Sequence, residues 1–388
     1  MRKQALFHIL VRATRFASRL IMSVLGLFFR KDLISARYSP EYHQQEIWKT
    51  EYRIWEANRK EFLDKALPRG CPACTAVDAD PLWNTEDGYQ YVQCRTCDFV
   101  YVTPCFTYDL WREYFERFRK DTEIINRRVI DSRFEENYLN EDRARFSFYL
   151  DRLKKHKFSG SVLDIGCLTG SFLHFARERG YEPHGIEHRE YAIAAAKKSL
   201  DLDLQQGFFE EVAPSMIEGG NRFDIITLWE TLEHMLYPDL VLNNARRLLS
   251  ADGLVAITVP NFDNLQVKIV RERCFHCLGG PGNAGHINMF TPASLQGMLE
   301  KNGFKVLTME TEGSSSYYDI LVSLSGRFDL LNSYSNAVSP PRKTPSRQPY
   351  FLSPVLLNAV LAFSPLWKVA ENAMLKGAII LTIARRRG

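Results

Sequence analysis

Ser161-Val-Leu-Asp-Ile-Gly-Cys-Leu-Thr-Gly-Ser-Phe-Leu173 is the stretch on which the fold of this 388-residue chain turns. It reads as a short buried strand, a turn carrying Gly166 and Gly170, and the opening of a helix. A strand–turn–helix of this kind brings backbone N–H groups and a helix N-terminus up to a ligand, a pyrophosphate cofactor being one candidate. Outward from it, strands are expected at 161–166, 182–187, 202–207, 223–229, 252–259 and 304–310, and helices near 170–179, 190–200, 237–250 and 291–302. Alternating strands and helices give parallel strands with right-handed crossovers, hence an α/β, doubly wound (Rossmann-like) sheet. Gly303-Phe304 adds a helix C-cap and an inward strand start.

Upstream, four of the eight cysteines form two C-x-x-C pairs, Cys71/Cys74 and Cys94/Cys97, with residues 75–93 between them. That spacing predicts a zinc ribbon over 70–106. Two disulfides are the alternative for a secreted chain, but a nucleotide-type cofactor site points to a reducing compartment and so to zinc. Tyr89 to Gln93 and Asp98-Phe-Val-Tyr-Val-Thr103 read as its strands, with a turn at Thr85 to Gly88. So short a piece needs the metal in place of a core. Cys105 and Cys167 read as packed thiols. Cys274-Phe-His-Cys277 would need His276 and His286 to complete a second site and reads as coincidence.

Composition is that of an ordinary globular chain, 45% hydrophobic and 25% charged, and a net charge of +4 is too mild to call for nucleic acid. The length divides into an N-terminal helical segment (1–69), the ribbon (70–106), an aromatic-rich helical cover (107–158) and the doubly wound domain (159–388) with a Pro-rich loop at 339–349. Glu41 to Leu67 reads as a solvated helix, 351–373 as an apolar helix, and Gly377 to Ile383 as the final strand. The apolar run Leu20 to Phe29 is about half of the ~20 residues a spanning helix needs. Residues 1–31 hold no acid, and Leu6, Ile9, Leu10, Phe16, Leu20 and Val24 alternate with Arg12, Arg15 and Arg19. That suits a basic amphipathic helix on the inner face of a membrane, with a targeting peptide or a helix packed on the main domain as alternatives. A cytoplasmic location with peripheral membrane contact through 1–31 is the expectation; the sequence leaves oligomeric state open.

Residues at the expected strand ends carry the chemistry, where open α/β sheets bind ligands. Asp164-x-Gly166-x-x-x-Gly170 and Phe223-Asp-Ile-Ile-Thr-Leu-Trp-Glu-Thr-Leu-Glu-His234, followed by Tyr237-Pro238, resemble motifs of the class I S-adenosylmethionine-dependent methyltransferases. The subgroup resembled includes quinone O-methyltransferases and sugar C-methyltransferases. Leu168 stands where many members carry a middle glycine. The resemblance spans roughly 159–310 plus Ala378-Ile-Ile-Leu-Thr-Ile-Ala384, similar to that family's antiparallel seventh strand. Cys94-x-x-Cys97-Asp-Phe-Val-Tyr-Val-Thr-Pro104 is similar to the zinc-binding domain preceding such domains in bacterial sugar pathways, with Asp98 in place of a common glycine.

The resemblance implies a seven-stranded sheet with S-adenosyl-L-methionine and zinc as cofactors. It sets Asp164, Gly166 and Gly170 at the methionine part of the cofactor, Phe208 beside the adenine, and Trp229 and Glu230 near the methionine end. Glu187, ending the strand Pro183-His-Gly-Ile-Glu187, is placed to accept both ribose hydroxyls, or to sit as a charge on a helix dipole. Asp164 also reads as a turn cap and Phe208 as core. Gly282 to Thr291 resembles an insertion over the substrate mouth, which makes His286 the first candidate for a general base. His234 and Glu233 are further catalytic candidates, or structural. The implied reaction is methyl transfer to an O- or C-nucleophile of a small molecule, a sugar nucleotide or a lipid-linked glycan. The competing expectation is a non-catalytic binding protein whose ribbon engages a protein or nucleic acid, with Leu168 a sign of lost catalysis.

Overall fold

Chain order in the computed structural model, which describes residues 54, 57–84, 89–264, 267, 285–312 and 372–387, begins with helical turns at 57–65. The solvated helix expected there is corrected by Phe62, which is fully buried and meets Tyr114 edge to face at 5.1 Å. Strands β1 (Ala79–Asn84), β2 (Gln90–Cys94) and β3 (Val100–Val102) follow, then helices α1 (Tyr108–Ser132) and α2 (Glu136–Lys154). Next come β4 (Gly160–Ile165), α3 (Ser171–Glu178), β5 (Tyr181–Glu187), α4 (Glu190–Leu200), β6 (Gln205–Gln206), α5 (Phe209–Glu218) and β7 (Phe223–Trp229). The described chain ends with α6 (Pro238–Leu248), β8 (Leu249–Pro260), β9 (Asn288–Met289), α7 (Pro292–Lys301), β10 (Phe304–Glu312) and β11 (Ile379–Arg386). Expectations for 1–31, 85–88, Cys274, Cys277, the loop 339–349 and most of 351–373 lie outside the described residues.

The seven-stranded sheet runs β10-β11-β8-β7-β4-β5-β6. β4 pairs in parallel with both β5 and β7, and β11 runs antiparallel between β8 and β10. Alternate residues go to opposite faces because a strand repeats every two residues. Leu163, Ile165, Ile226, Leu228, Val255 and Ile257 therefore share one core with α5, α6 and α7. Val162, Ile225, Leu254 and Ala256 join Phe146, Leu150, Phe172 and Phe175 of α2 and α3 in the other. Chain order reverses at β4, so the crevice beyond β4, β5 and β7 is where a ligand belongs.

Beyond β1 and β9, which the sequence did not announce, other elements depart from those expected. The strand expected at 202–207 shrinks to two residues, and α5 was not foreseen. Pro214 inside α5 masks its helical pattern, which survives because Phe209, Ala213 and Met216 are buried. Glu233 lies with His234 in a single 3-10 turn, Leu232–His234, ahead of α6.

The ribbon is bound into the larger domain through β9, which completes a β1-β2-β3-β9 sheet with Val100 opposite Met289 and Tyr101 opposite Asn288. Arg69 clamps the seam, donating to the carbonyls of Val102 (2.9 Å), Leu236 (2.9 Å) and Ile287 (2.8 Å) and to Asn288 Oδ1 (3.1 Å). Phe99 packs edge to face on Phe290 at 5.3 Å. Among the described residues no helix is long and apolar enough to cross a membrane.

Candidate active site

The turn after β4 depends on its glycines. Gly166 and Gly170 have φ of +73° and +74°, and a Cβ would lie 2.9 Å from Thr231 and 2.6 Å from Leu202 respectively. Leu168 adopts φ +49°, a left-handed conformation that costs a side-chain-bearing residue roughly 1–2 kcal/mol. What holds it is Glu187: the Leu168 N–H donates to Glu187 Oε2 at 3.0 Å. Glu187 Oε1 accepts the Arg189 N–H at 2.9 Å and lies 3.0 Å from His188 Nδ1. Burial alone would raise the Glu187 pKa, but the His188 hydrogen bond and the Arg189 charge outweigh it and hold it at about 2.

Asp164, at the end of β4, behaves oppositely. Burial, aided by the charge of Glu187 and opposed by a 2.7 Å hydrogen bond from Thr227 Oγ1, pushes its pKa up to about 8. One carboxyl keeps its proton while its neighbour is ionised. Below the unfolded value of 3.8, folded and unfolded forms are both protonated and Asp164 is neutral in its effect. Between there and about 8 only the unfolded form ionises, so stability falls with rising pH and levels off above. Asp164→Asn, whose Oδ1 still accepts from Thr227, is expected to melt higher than the parent by a margin that widens from pH 4 to pH 8. Scanning calorimetry showing a pH-independent margin would contradict a protonated Asp164.

Farther along the strand ends, Phe208 stacks on His188 at 4.8 Å, with the Arg112 guanidinium 5.9 Å from its centroid and Tyr108 of α1 at 5.8 Å. Trp229 stacks on Tyr149 of α2 at 4.7 Å, and its buried indole Nε1 has no hydrogen-bond partner among the described residues. Glu230 is exposed, with φ +48°, and its carboxylate lies 3.6 Å from Arg145. Tyr149 and Arg145 were not anticipated individually. The only signal for them was the aromatic density of the cover helices.

Glu233, His234 and His286 converge although 52 positions separate the histidines (286 minus 234). Their ligand atoms lie within 4.8 Å of one another, and Nε2 of His286 and of His234 sit 3.8 and 3.9 Å from Glu233 Oε1. Glu233 is fully buried, and neither of its oxygens nor His286 Nδ1 has a hydrogen-bond partner among the described residues. Burial, opposed by its own backbone N–H and aided by the charge of Glu230, leaves the Glu233 pKa well above the carboxylate range. Burial and the neighbouring His234 lower that of His286 to about 3. The His286 carbonyl accepts the Tyr91 hydroxyl of β2 at 2.6 Å. The ribbon thus holds this histidine beside Glu233, a link that sequence spacing gave no means to see.

In the ribbon itself, Cys71 lies 3.5 Å from Cys97 and Cys74 3.5 Å from Cys94, with all four sulfurs within 4.8 Å. All four are free thiols. Four sulfurs each ~2.3 Å from one zinc would stand ~3.8 Å apart, so the donor set and its spacing fit that ion.

Comparison with known proteins agrees with the geometry. A family profile described as "Methyltransferase domain" matches residues 133–309. The ubiquinone biosynthesis O-methyltransferase of Glaesserella parasuis is 30% identical over 119 residues, 29% of this chain and 50% of that protein. The enzyme of the same name from Azorhizobium caulinodans is 28% identical over 158 residues, 37% and 58% of the two chains. The chain therefore spans about half the length of the curated relatives it matches. A SAM-dependent methyltransferase structure from Archaeoglobus fulgidus overlays on 65% of this chain and 100% of its own, with 18% identity and a TM-score of only 0.39. The β4 turn, the acidic end of β5 and the antiparallel β11 share one sheet, and over residues 133–309, which take in β4 and β5, the chain is similar to methyltransferase domains.

Proposed function

We propose that this protein transfers a methyl group from S-adenosylmethionine to an oxygen nucleophile of a small-molecule acceptor, with zinc held by Cys71, Cys74, Cys94 and Cys97 as a structural ion. The observation that carries this reading is the meeting, beyond β4, β5 and β7, of an ionised Glu187 with a buried polar cluster, Glu233 and His286, whose Glu233 oxygens and His286 Nδ1 have no hydrogen-bond partner among the described residues. Thr231, two residues before Glu233, packs against Gly166, so the two halves adjoin. The names of the relatives favour oxygen over carbon as the acceptor atom. Sugar nucleotides and lipid-linked glycans are acceptors within this reading, the latter suited by the basic residues 1–31.

Bound S-adenosylmethionine supplies an activated methyl on a positive sulfur; the chain supplies position and dryness. The backbone at Gly166 and Gly170 admits the methionine part beside a neutral Asp164. Glu187 Oε1 and Oε2 retain lone pairs for the ribose hydroxyls. Phe208 offers an aromatic edge to the adenine. Trp229 and Tyr149 wall off water, while Glu233, His234 and His286 orient the acceptor hydroxyl and handle its proton.

Calorimetry on the zinc-loaded chain should show saturable S-adenosylmethionine binding at one site. No heat at high micromolar cofactor would overturn the enzyme reading in favour of a binding module. Mass spectrometry of whatever co-purifies in the crevice would identify the acceptor class.

A further inference from the structure

We propose that the face at the N-terminal ends of the parallel strands, centred on Lys155, Phe158 and Arg385, docks on an anionic lipid bilayer. The docking does not rest on the methyl-transfer reading.

Separate chain segments meet on this face. α2 ends in Lys154 and leads through Lys155 and Phe158 to β4, β10 opens at Phe304, and β11 closes at Arg386. Because β10 and β11 are antiparallel, with Lys305 opposite Arg385, the start of one lies beside the end of the other. The Arg387 N–H, donating to the Gly303 carbonyl at 2.8 Å, extends the same join. His156 ties in the end of α2: burial first, then the charges of Arg385 and Lys155, lower its pKa. The crevice beyond β4, β5 and β7 lies at the other ends of the strands, so a bilayer seated here leaves it open.

Lys154, Lys155, Lys305, Arg385 and Arg387 are all exposed, and none has an ion-pair partner among the described residues. Several exposed cations elsewhere are neutralised: Lys65 by Glu113 at 2.6 Å, Arg143 by Glu178 at 3.0 Å, Lys197 by Asp201 at 2.9 Å. The acids beside the face are already engaged. Asp151 lies 3.4 Å from Arg179, and Lys157 takes both Asp224 (3.0 Å) and Asp252 (3.3 Å). What is left is a positive field that draws a polyanion.

Phe158 decides which polyanion. Its side chain is 71% exposed, among these cations. A single exposed apolar residue is ordinary on a protein surface. Set among unpaired Lys and Arg it has the composition of an interfacial anchor, whose ring enters the headgroup region while the charges meet lipid phosphates. A nucleic-acid duplex offers the charges a partner and the ring none, because its bases are stacked inside.

Co-sedimentation of the zinc-loaded full chain with vesicles tests the docking. Binding to mixed phosphatidylglycerol–phosphatidylcholine vesicles should exceed binding to phosphatidylcholine alone and fall as salt is raised. Each Lys or Arg at such a surface contributes about 5-fold, so Lys155→Glu combined with Arg385→Glu should weaken binding at least ~20-fold. Phe158→Ser should weaken it ~3- to 10-fold through the lost burial of the ring. Both proteins should keep the parent's melting temperature and its affinity for S-adenosylmethionine, since the changed side chains are exposed and Glu187 lies at the opposite end of β5. No preference for the anionic vesicles overturns the proposal. So does binding that the double variant leaves intact, which assigns it elsewhere in the chain, residues 1–31 included. Full vesicle binding by Phe158→Ser, with the double variant losing a DNA duplex as well, assigns the face to nucleic acid and overturns the lipid.

Discussion

Cys94→Ser should lower turnover by ~10²-fold or more, because misplacing a reacting group by about 1 Å is enough for a loss of that size. Cys94 is fully buried in the same core as Val241, Phe290 and Leu295, and its sulfur lies 3.5 Å from Cys74. Without the thiolate set, β1–β3 have too little core to persist. Their loss leaves β9 without its partner strand, and the Tyr91 hydroxyl and the Arg69 clamp no longer fix residues 286–288. The turn after β4, by contrast, is held by Glu187, Thr227 and the parallel sheet, none of which belongs to the ribbon. Cofactor affinity should therefore stay within ~3-fold, less than ~1 kcal/mol. Elemental analysis of the reduced parent should give about one zinc per chain at this site, and the variant none. Tyr91→Phe keeps the ribbon and removes only the bond to the His286 carbonyl. It should lower kcat with zinc content intact. A Cys94→Ser protein that retains full turnover, or a Tyr91→Phe protein indistinguishable from the parent, would show that the ribbon does not position His286.

How much of this was legible in the sequence follows from the range of each interaction. The β4 turn announced itself because its requirements are local: apolar residues at strand spacing, then glycines where φ must be positive. The strands and helices of the sheet followed from the same short-range periodicity. Leu168 shows where local rules fall short. The left-handed backbone expected of a glycine persists there with a leucine, because an N–H bond to Glu187, 19 residues on, holds it. The departure from the family pattern is thus accommodated in the backbone of the turn. The cysteine pairs were readable as a donor set, yet the ribbon's attachment was not. β9 is two residues long and carries no pattern of its own, and it becomes a strand only because Val100 and Tyr101 lie beside it. The meeting of Glu233 with His286 is likewise a product of tertiary packing. So is Arg69, one basic residue among many until four acceptors from three segments surround it.

Glu187→Ala should weaken S-adenosylmethionine binding by ~1–3 kcal/mol, or ~5- to 150-fold, the scale of hydrogen bonds to a charged acceptor. Three consequences of the truncation add in the same direction. On the proposed binding mode, the ribose hydroxyls lose their anionic partner. The Leu168 N–H loses its acceptor, so the left-handed turn has less to offset its conformational cost and the backbone that approaches the methionine part loosens. Asp164 loses the nearby charge that helps hold its proton, so its pKa falls and more of it ionises at neutral pH beside the cofactor's carboxylate. Glu187→Gln separates these effects. The amide keeps an acceptor for Leu168 but offers the ribose no charge, so its loss of affinity should fall between the parent's and that of Glu187→Ala. Calorimetry of the two variants against the parent reads the difference, and a melting curve for each shows whether the turn has relaxed. Affinity unchanged in Glu187→Ala would remove the ribose role. An equal loss in both variants would assign the effect to charge and leave the support of Leu168 with no share in binding.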